Sequence, residues 1–274
     1  MTGRITLAVL VAVACIGCLL LVRHFGLGVE ENEYGQLIDY PDKREVHRPV
    51  IGPRALVAFT FGQSNSANYG NERFSADSRH ILNYWDGDYY LAEDPLLGAS
   101  GMKGSVWTLA ANKLVAAKAF DQVILLAAGV GSTSVRDWTT GGRLNGMLEA
   151  RLADAKTAGL TVTHFLWHQG EADNNDEGVA GYDAAMRPII ALTKRYFPQS
   201  KFFVAQATVC LRSPGPNAAL RRIQLDLARL PGVYAGPNTD EIGFEDRFDG
   251  CHMNGKGLEK HADGWAAAIA AHLD

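Results

Sequence analysis

The sequence predicts an α/β protein of three layers, α/β/α, with a central and mostly parallel sheet, preceded by an N-terminal transmembrane or signal helix. Two observations carry this. Short apolar runs rich in β-branched and aromatic residues alternate with amphipathic stretches of helical length, which implies right-handed βαβ units and a sheet covered on both faces. Polar residues suited to chemistry follow the ends of several of those runs, where open α/β sheets place their reacting groups. Composition agrees, since 47% hydrophobic residues belong to a folded globular chain. Lys+Arg 26 against Asp+Glu 30 leave a formal charge of -4, which argues against a nucleic-acid partner, because such a partner requires a basic face.

The first element is the apolar run Ile5 to Val22, bracketed by Arg4 and by Arg23-His24. At roughly 1.5 Å per helical residue it nearly spans a bilayer core of about 30 Å. Cleaved signal peptide, lipoprotein signal and uncleaved anchor compete. No small-x-small cleavage site follows, and Leu19-Leu20-Leu21 carry the run past Cys15 and Cys18. Residues 1–24 are therefore expected to be a signal anchor, with residues 5–22 in the cell membrane and the main domain on the periplasmic or extracellular side. Residues 25–50 are polar, without periodicity, and are expected to form a stem. Residues 51–274 form one domain.

Within that domain the expected strands are Ala55–Phe61, Val123–Ala128, Thr163–Trp167 and Lys201–Val209, with a shorter one near Val233–Ala235. The expected helices are Val106–Phe120, Leu144–Ala158, Tyr182–Tyr196, Ala218–Leu230 and Gly257–Leu273, with Pro188 a kink or a true start. Asp86-Gly87 between Tyr84-Trp85 and Tyr89-Tyr90 is a hairpin signal. Tyr69, Phe74, Tyr84, Trp85, Tyr89 and Tyr90 either wall a sugar site or pack the hairpin onto the domain.

Four stretches carry candidate chemistry. Phe61-Gly62-Gln63-Ser64-Asn65 ends the first strand at a glycine, which lets the backbone turn sharply before a serine. Alone, that serine would more simply cap the next helix. Gly129 to Trp138 follows the second strand, and its glycines free N–H groups to face a ligand. His168-Gln169-Gly170-Glu171-Ala172-Asp173 follows the third. There Gln169 can donate from its amide, while Glu171 and Asp173 have the plainer role of anchoring the loop. Near the C-terminus Asp249-Gly250-Cys251-His252 sets a carboxylate three residues before an imidazole, close enough in a turn to fix its tautomer. Metal is the rival for His252, but His164, His168 and His261 lack ligand spacing with it.

Taken together, Gly62-Gln63-Ser64-Asn65, the Gly131–Trp138 stretch, His168 to Asp173 and Asp249 to His252 resemble the SGNH (GDSL-like) hydrolases. The match is to their sialate O-acetylesterase-like branch, carbohydrate esterase family 6, over about residues 55–270. The resemblance implies a flavodoxin-like fold, Ser64 as nucleophile within hydrogen-bond reach of His252 as base, and Asp249 orienting His252. It implies an oxyanion hole from the Ser64 amide, an amide of the Gly131-Ser132 turn and the Gln169 side chain. Asn65, Glu171 and Trp138 are expected on the substrate side. The chain departs from the family where Gly131-Ser132 replaces Gly-Gly and Ala172 replaces a serine. Gln169 also stands where the wider superfamily uses asparagine.

The function so implied is a serine esterase that removes O-acetyl groups from a carbohydrate or polysaccharide through an acyl-enzyme, with no cofactor and no metal. A polysaccharide O-acetyltransferase would use the same triad, and a non-catalytic glycan-binding assembly protein would keep only the fold. Cys15 and Cys18 belong to the apolar run. Cys210 and Cys251 remain as an even pair in an oxidising compartment, either bridged or two separate thiols.

Overall fold

A computed structural model describes residues 28–210 and 215–273. The run at residues 5–22 lies outside the described residues, among which no helix is long and apolar enough to cross a membrane. The main sheet holds β3 (Glu45–Val46), β4 (Ala55–Gly62), β5 (Ile81–Trp85), β6 (Asp88–Leu91), β7 (Gln122–Ala127), β8 (His164–His168), β9 (Lys201–Gln206) and β10 (Val233–Asn238). Its order is β10-β9-β8-β4-β7-β5-β6-β3, parallel from β10 to β5 and antiparallel at the β6 and β3 edge. A separate small ribbon pairs β1 (Glu30–Glu31) with β2 (Leu37–Asp39).

Alternation along the strands builds both cores, because successive side chains leave a strand on opposite faces. Val57, Phe59 and Phe61 of β4 pack with the short α2 (Val135–Trp138), α3 (Asn145–Thr157), α4 (Asp176–Tyr196) and α5 (Ala218–Leu227) through Trp138, Leu148, Met186, Ile189 and Leu220. Leu56 and Ala58 face the other way, onto α1 (Val106–Ala116) and α6 (Gly255–Ala270), through Leu109, Leu258 and Trp265. Both faces are thus covered, and the sheet is the buried middle layer.

Helix bounds follow from local capping. Asn175 accepts from Gly178 N–H at 2.8 Å and starts α4 at Asp176, so that helix runs through Pro188 and begins ahead of the expected Tyr182. Lys118, at φ +57°, and the Ala119 N–H to Leu114 C=O bond close α1 short of Phe120.

The expected stem is a correction. Leu37 is fully buried and exchanges backbone bonds with Ala99 and Gly98, Gln36 Nε2 donates to the Ala128 carbonyl at 3.0 Å, and β3 extends the main sheet beside β6. Segments of two or three residues show no periodicity, so only their distant partners reveal them. The hairpin forms as expected, but Tyr84 and Tyr89 lie in the core, and Arg151 covers the Trp85 ring at 4.0 Å.

After the short edge strand β3 the chain runs to the centre of the sheet at β4. From β4 it builds β5 and β7 on one side, then crosses back to build β8, β9 and β10 on the other. The carboxyl end of β4 is therefore a topological switch point, where such sheets open a crevice.

Candidate active site

Gly62 shapes that crevice. It adopts φ +126°, and a Cβ on it would lie 2.0 Å from the His168 carbonyl oxygen. Only glycine lets the ends of β4 and β8 come this close. Gln63 N–H then donates to that same carbonyl at 3.0 Å, and Ser64–Ser66 forms a 3₁₀ turn that carries the serine out of the strand. Ser64 is 6% exposed, just beyond the carboxyl end of β4.

Opposite it, the loop before α6 supplies the second pair. Asp249 Oδ2 lies 2.6 Å from His252 Nδ1, and Asp249 Oδ1 accepts from the backbone N–H of Cys251 at 2.9 Å and of His252 at 2.7 Å. Partial burial would raise the Asp249 pKa, but these hydrogen bonds outweigh it and hold the carboxyl below its ordinary value. Two devices fix the loop. Cys251 is joined by a disulfide to Cys210, beyond the end of β9. The buried Arg247 guanidinium donates to the carbonyls of Thr239 (2.8 Å), Ile242 (3.2 Å), Val209 (3.3 Å) and Cys251 (2.7 Å).

The two halves meet where Asn65 Nδ2 donates to the Cys251 carbonyl at 3.4 Å, although among the described residues no hydrogen bond joins Ser64 Oγ to His252. Contacts of this kind are often long without substrate and tighten in the complex. The His252 ring stacks instead on Tyr69, with centroids 5.3 Å apart.

Four expected roles are corrected by burial. Trp138 is fully buried; its indole N–H donates to Thr133 Oγ1 at 3.0 Å and its ring packs edge-on to Phe61 and Trp167. It is a core residue and cannot touch a sugar. Gln169 is also fully buried, and its amide serves Gln63 Oε1 (3.2 Å), the Thr133 carbonyl (3.1 Å) and Asp173 Oδ2. With two N–H groups and three acceptors it has none left for an oxyanion. Glu171 faces inward, with Oε1 3.0 Å from His168 Nε2 and 2.9 Å from Asn65 Nδ2. Asn65 is likewise committed to Glu171 and Cys251, so both brace the site from beneath. In the second loop Gly131 N–H already donates to Ser100 Oγ at 2.8 Å, while Ser132, at φ +59°, is exposed.

Behind Glu171 the network continues. His168 Nδ1 lies 3.0 Å from His261 Nε2, which also accepts from the Trp265 indole at 3.0 Å. Burial, with the His168 and Arg247 charges adding to it, pushes the His261 pKa well down. Burial opposes the Glu171 charge too, but the His168 ring and the hydrogen bonds from His168 and Asn65 prevail and set its pKa at about 2. Arg247, Gln63 and Ser100 were not singled out as separate site residues by sequence reasoning, and Tyr69 appeared only among several aromatics. The one local signal was their nearness to the motifs: Gln63 precedes Ser64, and Arg247 stands two residues before Asp249. Among the described residues no group of three or more His, Cys, Asp or Glu is arranged to hold a metal ion.

A serine at the switch point of a three-layer α/β/α sheet, faced by an Asp–His pair from the last loop, defines a hydrolase of the SGNH type. The chain belongs to the family described as carbohydrate esterase, sialic acid-specific acetylesterase, whose sequence profile matches residues 56–270. It is a carboxylic ester hydrolase of the carbohydrate acetylesterase class. No curated protein matches the sequence closely. Its fold is similar to that of a protein from Arabidopsis thaliana at 19% identity and TM-score 0.67, over 81% of this chain and 100% of that one. NanS is similar at 14% identity and TM-score 0.58, over 81% and 98%. A carbohydrate acetylesterase from Xanthomonas citri is similar at 15% identity and TM-score 0.52, over 79% of this chain but 56% of that longer one.

Proposed function

We propose that the chain deacetylates an O-acetylated carbohydrate through an acyl-enzyme on Ser64. In this reading Ser64 Oγ attacks the ester carbonyl carbon and its proton passes to His252 Nε2, with Asp249 stabilising the imidazolium. The tetrahedral oxyanion is held by the backbone amides of Ser64 and Ser132, since the Gly131 amide and the Gln169 side chain have other partners. Collapse breaks the C–O bond to the sugar, whose oxygen takes the proton from His252. Water then attacks the acetyl-Ser64 carbonyl, again losing a proton to His252, and acetic acid leaves as Ser64 recovers that proton, ionising to acetate in solution.

The observation that carries this reading is the Asp249–His252 contact at 2.6 Å, on a loop pinned to the sheet end where Ser64 emerges. The test is Ser64→Ala, which should abolish turnover of an acetylated glycan while the circular dichroism spectrum is unchanged. Rapid mixing of the unmodified enzyme with an activated acetyl ester should leave an acetyl adduct on Ser64 by mass spectrometry. Turnover that survives in Ser64→Ala would end the proposal. Partition of labelled acetyl between water and an added glycan distinguishes hydrolysis from transfer. Residues 5–22, by their length and apolarity, are proposed to tether the enzyme outside the cytoplasmic membrane. Loss of the protein from the membrane fraction on deleting residues 1–24 is the check.

A further inference from the structure

Two aromatic rings stack on His252. The Tyr69 ring lies with its centroid 5.3 Å from the imidazole and tilted by 22°, and Phe248 with its centroid at 6.1 Å and 30°. Tyr69 is seated with little tolerance. A Cβ on Gly101 would come 2.8 Å from its ring, and a Cβ on Gly131 would come 2.6 Å from its hydroxyl. The same side chain therefore touches the imidazole with its face and the Gly131-Ser132 turn with its tip. Phe248 is 39% exposed and carries Lys103 Nζ 4.2 Å from its centroid.

Aromatic faces attract cations, and the attraction grows as water is excluded. The imidazole must be neutral to take the serine proton and is a cation once it holds one, so a ring stacked on it favours the charged form. The other charges that face it are fixed. Asp249 sits on Nδ1 and favours the cation, whereas Lys103 lies over Phe248 and opposes it. Arg247 lies near enough to act on the Asp249 charge.

We infer that Tyr69 is a positioning residue of the reaction: its ring holds the His252 plane and stabilises the imidazolium, its hydroxyl braces the Gly131-Ser132 turn, and Phe248 is the weaker second partner. The inference rests on His252 being the base. Its test is the pH profile of kcat/KM on a soluble acetyl ester. Without the ring the protonated imidazole is less stable, so the acid limb in Tyr69→Leu should move to lower pH, by about 0.5–1 unit. Its kcat should fall about 3–10-fold with KM little changed. Tyr69→Phe, which keeps the ring, should leave the limb in place. Phe248→Leu, on an exposed side chain that tolerates change, should move the limb the same way by less.

A limb unmoved in both Tyr69→Leu and Phe248→Leu overturns the inference and reduces Tyr69 to packing. A limb displaced in Tyr69→Phe as far as in Tyr69→Leu overturns the role of the ring. The assignment of the base is tested apart, by His252→Ala. If that variant keeps turnover, the base is wrong; if it is dead while the limb stays fixed in Tyr69→Leu, only the aromatic clamp fails.

Discussion

The disulfide between Cys210 and Cys251 joins the segment beyond β9 to the centre of the Asp-Gly-Cys-His turn, so that one covalent link spans 41 residues and fixes both Asp249 and His252. Closing a loop of that length removes chain entropy from the unfolded state worth about 4 kcal/mol in the usual treatment. Yet the bridge restrains the active loop more directly than it restrains the core, which has its own packing on both faces of the sheet. Reduction should therefore lower turnover at denaturant concentrations where the fold persists. Activity and near-ultraviolet dichroism followed together through a thiol titration would show the two separating, and their coincident loss would refute the idea.

Gly62→Ala should be severe. The added carbon would meet the His168 carbonyl at 2.0 Å, and the residue would have to hold φ +126°. Overpacking and left-handed backbone together should cost about 3 kcal/mol or more. Because Ser64 follows two residues later, the variant should also lose its activity even where it still folds. Urea unfolding and turnover on the purified variant measure both.

Gln169→Ala should behave as a stability mutant. The amide holds the Thr133 carbonyl, Gln63 and Asp173 together in a fully buried setting. Leaving such groups unpaired costs about 1–3 kcal/mol each. A lowered melting temperature is expected, with residual turnover in the folded fraction. A stable variant slowed 10²–10³-fold, the approximate loss on removing an oxyanion donor, would return Gln169 to that role.

Glu171→Gln should remove an acid-sensitive part of the stability. The Glu171 carboxyl titrates at about 2 against an ordinary 4.5, so its folded-state charge is favoured. A depressed carboxylate stabilises fully above its unfolded pKa, and that contribution fades as pH falls from about 4.5 towards about 2. The gap in urea midpoint between the wild-type chain and Glu171→Gln should be largest at pH 7 and narrow by pH 3. A gap that stays constant over this range would mean that the Glu171 carboxyl gains nothing from its charge in the folded state.

The layers and the order of the site are written in the local residue pattern. Apolar runs such as Ala55–Phe61 and amphipathic stretches such as Ala218–Leu230 record which faces are buried, and burial sets the local period of a strand or helix. The Asp249–His252 contact is legible there too, because a turn brings residues three apart together, although the disulfide and Arg247 then hold that turn in place. The partners of polar and aromatic groups at the strand ends come from packing between distant elements. Trp138 and Gln169 look like site residues in sequence, yet the packing of β4, β8 and α4 encloses them. Tyr69 reaches His252, Arg247 reaches the Val209 carbonyl, Gln36 finds Ala128, and Cys210 meets Cys251, all across long separations. A side chain's own neighbours in sequence carry no record of such a partner, because the atoms it meets are supplied by elements that reach it only once the sheet has closed around β4.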